Sequence, residues 1–280
     1  MKKLICLLTA LLLFINISYA SGQEEFFKFI QCYYSDYAAF QIRNYIYALN
    51  MSETEQDEEF AFKTLYTDYI DYYKNIVKFY TENAVEPFDY EYVKEHKKEY
   101  LQYGLGFNIV EGSWDIEEDY TMLLNVTEIP KVWVEWLNLQ EKYVAKNRKI
   151  CMKQGGCEGW TMTNSEMEQA IIDLEKIENK SKAIASIQSH KYDYIPYTSR
   201  ELMDTYLMGN DLRQIFEWNQ DDTKTLSKNS KKSFEHFIKH HKNSKYWNIV
   251  NWYYEALEQN KFLYSPEING TLIDKLESMK

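Results

Sequence analysis

Two acids flank a tryptophan in the run Glu111-Gly112-Ser113-Trp114-Asp115-Ile116-Glu117-Glu118-Asp119. Glycoside hydrolysis needs two carboxyl groups across a sugar, one of them held protonated by an apolar neighbour. Glu111 and Asp115 beside Trp114 are the weak catalytic candidates for that chemistry, and Trp114 could stack on a sugar ring. The plainer reading is an ordinary helix start, with Ser113 as cap, acids in the first turn and Trp114 in the core. A short helix running to about Glu128 is expected from it.

His236, His240 and His241 stand within six residues of one another. On a helix His236 and His240, four apart, could face one metal ion. A zinc protease motif needs a glutamate directly after the first histidine, and Phe237 occupies that position. The surrounding lysines would also repel a cation. No metal site and no cofactor is expected.

Those lysines form the third feature. Lys224, Lys228, Lys231, Lys232, Lys239, Lys242 and Lys245 are opposed only by Glu235, a local +6 in a chain of net charge −11. Such asymmetry suits an anionic partner, either an acidic protein surface or an anionic component of the cell envelope. Lys228, Lys231, Lys232, Lys239 and Lys242 are the binding candidates. The alternative is a solvated linker and helix face that complements the chain's own acidic helices.

The fourth feature is redox chemistry at cysteine. Cys151 to Thr163 reads CMKQGGCEGWTMT and holds three of the nine glycines. Cys151 and Cys157 enclose five residues, and the glycines between them let the backbone turn sharply, so a disulfide joining them is expected. It would fix a corner and add little stability, because the closed loop is small. Pairing of Cys32 with either partner is the competing arrangement. If Cys151 and Cys157 pair, Cys32 becomes a buried free thiol or a link between chains.

The elements that must position these groups read as helices. Nine glycines and four prolines in 280 residues leave few chain breakers for hairpins. The 25 tyrosines and other aromatics recur at helical spacing, as in Phe62, Tyr66, Tyr69, Tyr73 and Tyr80. Residues 24–49 and 58–83 each present one apolar face. Pro87 suits the first turn of the next helix and Gly104 its end. Thr163 with Glu166, and Thr198 with Glu201, form capping boxes at two further helix starts. The second of these helices is weakened at Gly209 and is expected to end by Trp218, before a polar linker over 219–230. Helices at about 231–242, 245–263 and 267–279 complete the chain. The expected fold is an all-α bundle of about eight to ten helices with little or no sheet, either one body or two lobes meeting near 151–163.

The N-terminus reads as an export signal. Lys2 and Lys3 precede an apolar run from Leu4 to Ile17, and Ser18-Tyr19-Ala20 offers a cleavage site. Loss of residues 1–20 would leave a domain of 21–280 and take the net charge from −11 to −13 by removing two lysines. A chain this acidic is a poor generic binder of nucleic acid. No later segment approaches the roughly 20 apolar residues of a membrane span. No nucleophile elbow, phosphate-cradling loop or dinucleotide fingerprint is present. The functional expectation is an exported, soluble helical binding protein of the inhibitor, immunity or adaptor type, periplasmic or secreted, acting by protein–protein contact. An envelope glycan hydrolase using the carboxylates near 111–119 is the alternative, and a binder is favoured over an enzyme.

Overall fold

The structure is a computed structural model and describes residues 26–82, 90–110, 113–126, 128–154, 162–187, 198–209, 215–220 and 223–279. The expected signal segment and Pro87 lie outside these residues. The chain is all-α, with eleven helices and two small hairpins among the described residues. No described helix is long and apolar enough to cross a membrane. Two compact units divide between Leu137 and Asn138.

The first unit begins with α1, residues 26–51, whose middle turn Ala38–Ile42 is a π-helix. The π turn has a packing consequence. Phe26, Ile30, Tyr37 and Tyr45 are the buried residues of α1. At 3.6 residues per turn, the separation between Phe26 and Tyr45 would leave Tyr45 about 100° off the core face, and the one extra residue of a π turn removes that error. Tyr45 can then pack edge-to-face on Phe62 and donate its hydroxyl to the Glu128 carbonyl at 2.7 Å.

α2 (Glu55–Glu82) is the centre of this unit. Acids at Glu55, Asp57 and Glu58 favour its positive end. Its buried face, Phe62, Leu65, Tyr66, Tyr69, Tyr73 and Ile76, is tyrosine-rich, and a buried hydroxyl needs a partner. Backbone carbonyls supply several. Tyr69 donates to Gly104 at 2.7 Å, Tyr72 to Tyr103 at 3.0 Å and Tyr73 to Ile116 at 3.2 Å. Trp133 donates its indole N–H to the Glu59 carbonyl at 2.9 Å.

α3 (Tyr90–Gln102) ends where Gly104 takes φ +72°, as its glycine implied. Beyond Gly104 the chain forms a hairpin where a loop and a short helix were expected. β1 (Leu105–Val110) and β2 (Ser113–Glu118) pair antiparallel, with Leu105 opposite Glu118 and Val110 opposite Ser113. Ser113 therefore opens a strand, not a helix. The period-two alternation of Leu105, Phe107 and Ile109, with Trp114 and Ile116 on the return, outweighs the run of acids. α4 (Thr121–Leu124) follows, and α5 (Lys131–Gln154) places Trp133, Trp136 and Leu137 in this core.

The second unit is built from α6 (Asn164–Glu178), α7 (Lys182–Ala185) and α8 (Ser199–Met208), then α9 (Lys228–His240), α10 (Trp247–Gln259) and α11 (Pro266–Glu277). Both capping boxes form: Thr163 accepts from Glu166 N–H, and Thr198 from Glu201 N–H, with each glutamate reaching back to the cap amide. Met167, Ile171 and Leu174 of α6, Leu202 and Tyr206 of α8, Phe234 and Phe237 of α9, and Val250 and Tyr253 of α10 make the core.

α8 stops earlier than expected, at Met208, with Gly209 at φ +78°. The stretch expected to be helix up to Trp218 and then linker contains a hairpin instead. β3 (Phe216–Trp218) pairs with β4 (Lys224–Leu226) in the register Phe216 opposite Leu226. Ser227 then caps α9 by accepting from the Ser230 N–H at 3.1 Å, so that helix starts at Lys228, inside the expected linker.

Candidate functional site

α6 carries an unusual stripe. Glu168, Glu175 and Glu178 lie seven and three residues apart, beside the apolar stripe, and all three are buried. A buried carboxylate is costly unless donors surround it. Here the donors come from the end of α9, the turn into α10 and the start of α8.

Glu175 accepts from the Ser244 hydroxyl and the Lys245 backbone N–H, each at 2.6 Å. Glu178 accepts from the Ser199 N–H at 2.8 Å, from the Ser199 hydroxyl and from the Lys245 ammonium at 2.7 Å. The Ser199 oxygen also meets the Tyr246 hydroxyl at 2.8 Å. Burial pushes the Tyr246 phenol well above its ordinary pKa against the opposing Ser199 bond, with smaller upward pushes from the charges of Glu178 and Glu175.

Glu168 is bound differently. One oxygen, Oε1, lies 2.7 Å from His236 Nδ1 and 2.6 Å from His241 Nε2. His236 is on the last turns of α9 and His241 is its C-cap, where the His241 N–H bonds the Phe237 carbonyl at 2.9 Å. The three side chains each aim one ligand-type atom at a common point, all within 4.8 Å of one another. The His236 ring lies 4.3 Å from that of His240. His240 is held below the ordinary imidazole pKa, first by loss of solvation and then by the neighbouring His236, Lys239 and His241. Glu168 and His236 open onto a cleft of about 530 Å³ lined by Thr163, Asn164 and Ser165 at the start of α6 and by Asn229 and Lys232 of α9.

The lysine run does not act as one face. Lys228, Lys232, Lys239 and Lys242 are exposed. Lys231 is half-buried, with its ammonium 3.7 Å from the centre of the Phe262 ring, and Lys224 lies 4.3 Å over Trp218. Lys245 is paired with Glu178. Part of the positive charge therefore serves the chain's own acids and rings, and Lys228, Lys232, Lys239 and Lys242 remain turned to solvent.

The other candidates separate. Asp115 stands in β2 opposite Asn108, and Glu111 lies outside the described residues. Cys157 also lies outside them, and with it the expected bridge to Cys151, whose backbone belongs to α5. Cys32, expected to be a buried free thiol or a link between chains if the other two pair, is a free thiol exposed on α1. It lies two residues past the buried Ile30, about 200° round the helix from that core position.

Two features of the structure have almost no signature in the sequence. The first is Glu168 as the partner of the histidines. Its one trace is three glutamates sharing α6 with an apolar stripe and falling next to it instead of opposite. The second is the outer face of α1. Phe40, Tyr47 and Met51 are 66%, 69% and 65% exposed. Steps of seven and four residues put them on one side of the helix, and Ile46 beside them is 42% exposed. Exposed Glu53, Glu55 and Asp57 follow directly. No family model, curated protein or solved structure matches the chain.

Proposed function

We propose that this chain is an exported binding protein that acts by holding another protein, of the inhibitor, immunity or adaptor type, through the outer face of α1. The observation that carries the reading is the apolar stripe Phe40, Tyr47 and Met51, each about two-thirds exposed on a helix whose opposite face is buried. Scattered apolar residues on a surface need no explanation, but large ones aligned on one helix face fit a partner's groove. Phe40 sits on the π turn, a helix irregularity often retained at functional sites.

The acids beside the stripe define the occupant. Glu53, Glu55 and Asp57, exposed and following Met51 in the chain, put negative charge at one end of the stripe in a chain of net charge −11. A second copy would bring together two chains that each carry a net charge of −11. The fitting partner is a different protein with an apolar groove and a basic rim. Export rests on Lys2, Lys3 and the Leu4–Ile17 run, and would put the encounter in the periplasm or outside the cell.

The experiment compares the wild-type chain with Phe40→Ser/Tyr47→Ser/Met51→Ser as bait for the envelope fraction of the source cells. One protein retained at stoichiometric level by the wild type and lost from the triple variant, with melting temperature unchanged, is the expected result. Equal retention by both baits overturns the assignment of the face. Self-association of the wild type in sedimentation, abolished in the variant, overturns the choice of partner.

A further inference from the structure

We propose that Glu168, His236 and His241 form a binding site for a divalent transition-metal ion of the zinc class. The three ligand-type atoms, Glu168 Oε1, His236 Nδ1 and His241 Nε2, already converge within 4.8 Å of one another. Two imidazole nitrogens and one carboxylate oxygen are a donor set that selects zinc or cobalt over magnesium or calcium, which take oxygen ligands. Bonds of about 2.0–2.1 Å from the metal to each donor set the donors roughly 3.3 Å apart in a tetrahedral site. The present separations of 2.7 and 2.6 Å need to open by only a fraction of an ångström.

The supports of the site are consistent with that adjustment. Glu168 is fixed, with its side chain 6% exposed in the middle of α6. His241 is held at both ends: its own N–H closes α9, and the next turn is clamped by Glu175 through Ser244 and Lys245. His236 is the movable ligand, with 58% of its side chain exposed at the cleft. The nitrogens that now donate to Glu168 give up their hydrogens when the metal binds, and each ring then carries its hydrogen on the nitrogen away from the metal. The ion would also place a positive charge beside the buried Glu168 carboxylate.

Three protein ligands leave a fourth position, and Glu168 and His236 both line the cleft between the start of α6 and α9. A water or an anionic group entering the cleft could complete the coordination, with Lys232 on the same wall. The exposed ammonium groups of Lys239 and Lys242 are screened by solvent and salt, so they weaken the attraction for a cation without abolishing it. The helical pair His236 and His240, the arrangement suggested by spacing alone, is not the one Glu168 selects.

The test uses the full chain without a polyhistidine tag, stripped with chelator and titrated with Co²⁺, with Zn²⁺ as competitor. The expected result is one equivalent bound, an intense visible band of tetrahedral cobalt, its displacement by Zn²⁺, and a melting temperature raised by either ion. His236→Ala, an exposed change, should weaken binding about tenfold or more while circular dichroism stays the same. His241→Ala should do likewise, and His240→Ala should leave affinity unchanged. Absence of binding by the wild type overturns the proposal. So does wild-type affinity in His236→Ala, or loss in His240→Ala with retention in His241→Ala.

Discussion

The Lys245 ammonium lies 2.7 Å from the Glu178 carboxylate, and that glutamate side chain is only 8% exposed. The same residue's backbone N–H is held by Glu175 at 2.6 Å, so one lysine answers two buried acids at once. A lysine that reads as part of an external basic face is thus a structural tie between α6 and the α9–α10 turn. Truncation to Lys245→Ala leaves Glu178 with Ser199 as its partner and keeps the backbone bond. The expected loss is about 1–3 kcal/mol, less than for a fully buried pair because the ammonium is half in water. Urea unfolding of the variant checks this, and a change under about 0.5 kcal/mol, the usual range for a surface substitution, would count against the tie.

Gly104 offers a sharper test of the first unit. Its φ is +72°, and a Cβ added there would sit 2.8 Å from a ring carbon of Tyr69. Tyr69 in turn donates to the Gly104 carbonyl and accepts the Asp119 N–H at 3.0 Å, closing the base of the β1–β2 hairpin. Gly104→Ala combines backbone strain with displacement of a buried ring. A loss of about 2–4 kcal/mol in chemical denaturation is expected.

Gly104 and Lys245 mark the two sides of what was legible in the sequence. Gly104 as a helix end, both capping boxes and the stripe of α2 follow from local rules, because the groups involved lie within one or two turns. The two hairpins were hidden for different reasons. In the first, the alternation of Leu105, Phe107 and Ile109 is masked by the acids of the return strand, which read as a helix start, and in the second β3 has only three residues, too few for period-two alternation to register. The Glu168–His236–His241 cluster was out of reach in a different way. Glu168 is 68 residues from His236, and nothing in either local sequence says that α6 and α9 pack together. The outer face of α1 was hidden because spacing shows that Phe40, Tyr47 and Met51 share a side of the helix, not that this side faces solvent.

The lysines separate into two classes with different expected responses. Reversal of Lys232, Lys239 and Lys242 to Glu changes only exposed side chains. Each should move stability by less than about 0.5 kcal/mol, and the triple variant should retain its melting temperature. Lys231→Glu removes an ammonium 3.7 Å from the Phe262 ring and should cost about 0.5–1 kcal/mol by itself. If an anionic partner uses the exposed three, their reversal slows association and flattens its salt dependence. Unaltered association kinetics in the triple variant would exclude this face as a contact.

Glu201 gives the molecule a pH response of defined sign. It is the third residue of the α8 capping box and is half-buried. Burial, with a further contribution from the Asp204 charge, raises its pKa to about 7 against the opposing Thr198 N–H bond. The folded state therefore holds this proton more tightly than the unfolded chain, where the ordinary value is 4.5. Between pH 4.5 and 7 the folded form carries more protons than the unfolded form, so this group's contribution to stability falls as pH rises across that window. It is fully present below 4.5 and lost above about 7. Glu201→Gln removes the titration and keeps a side chain able to accept the cap N–H. Melting temperatures measured across the window should converge for the two proteins at the acid end. They should separate toward neutral pH, with the glutamine variant the more stable. Parallel curves at every pH would show that Glu201 ionises as freely in the folded chain as in the unfolded one.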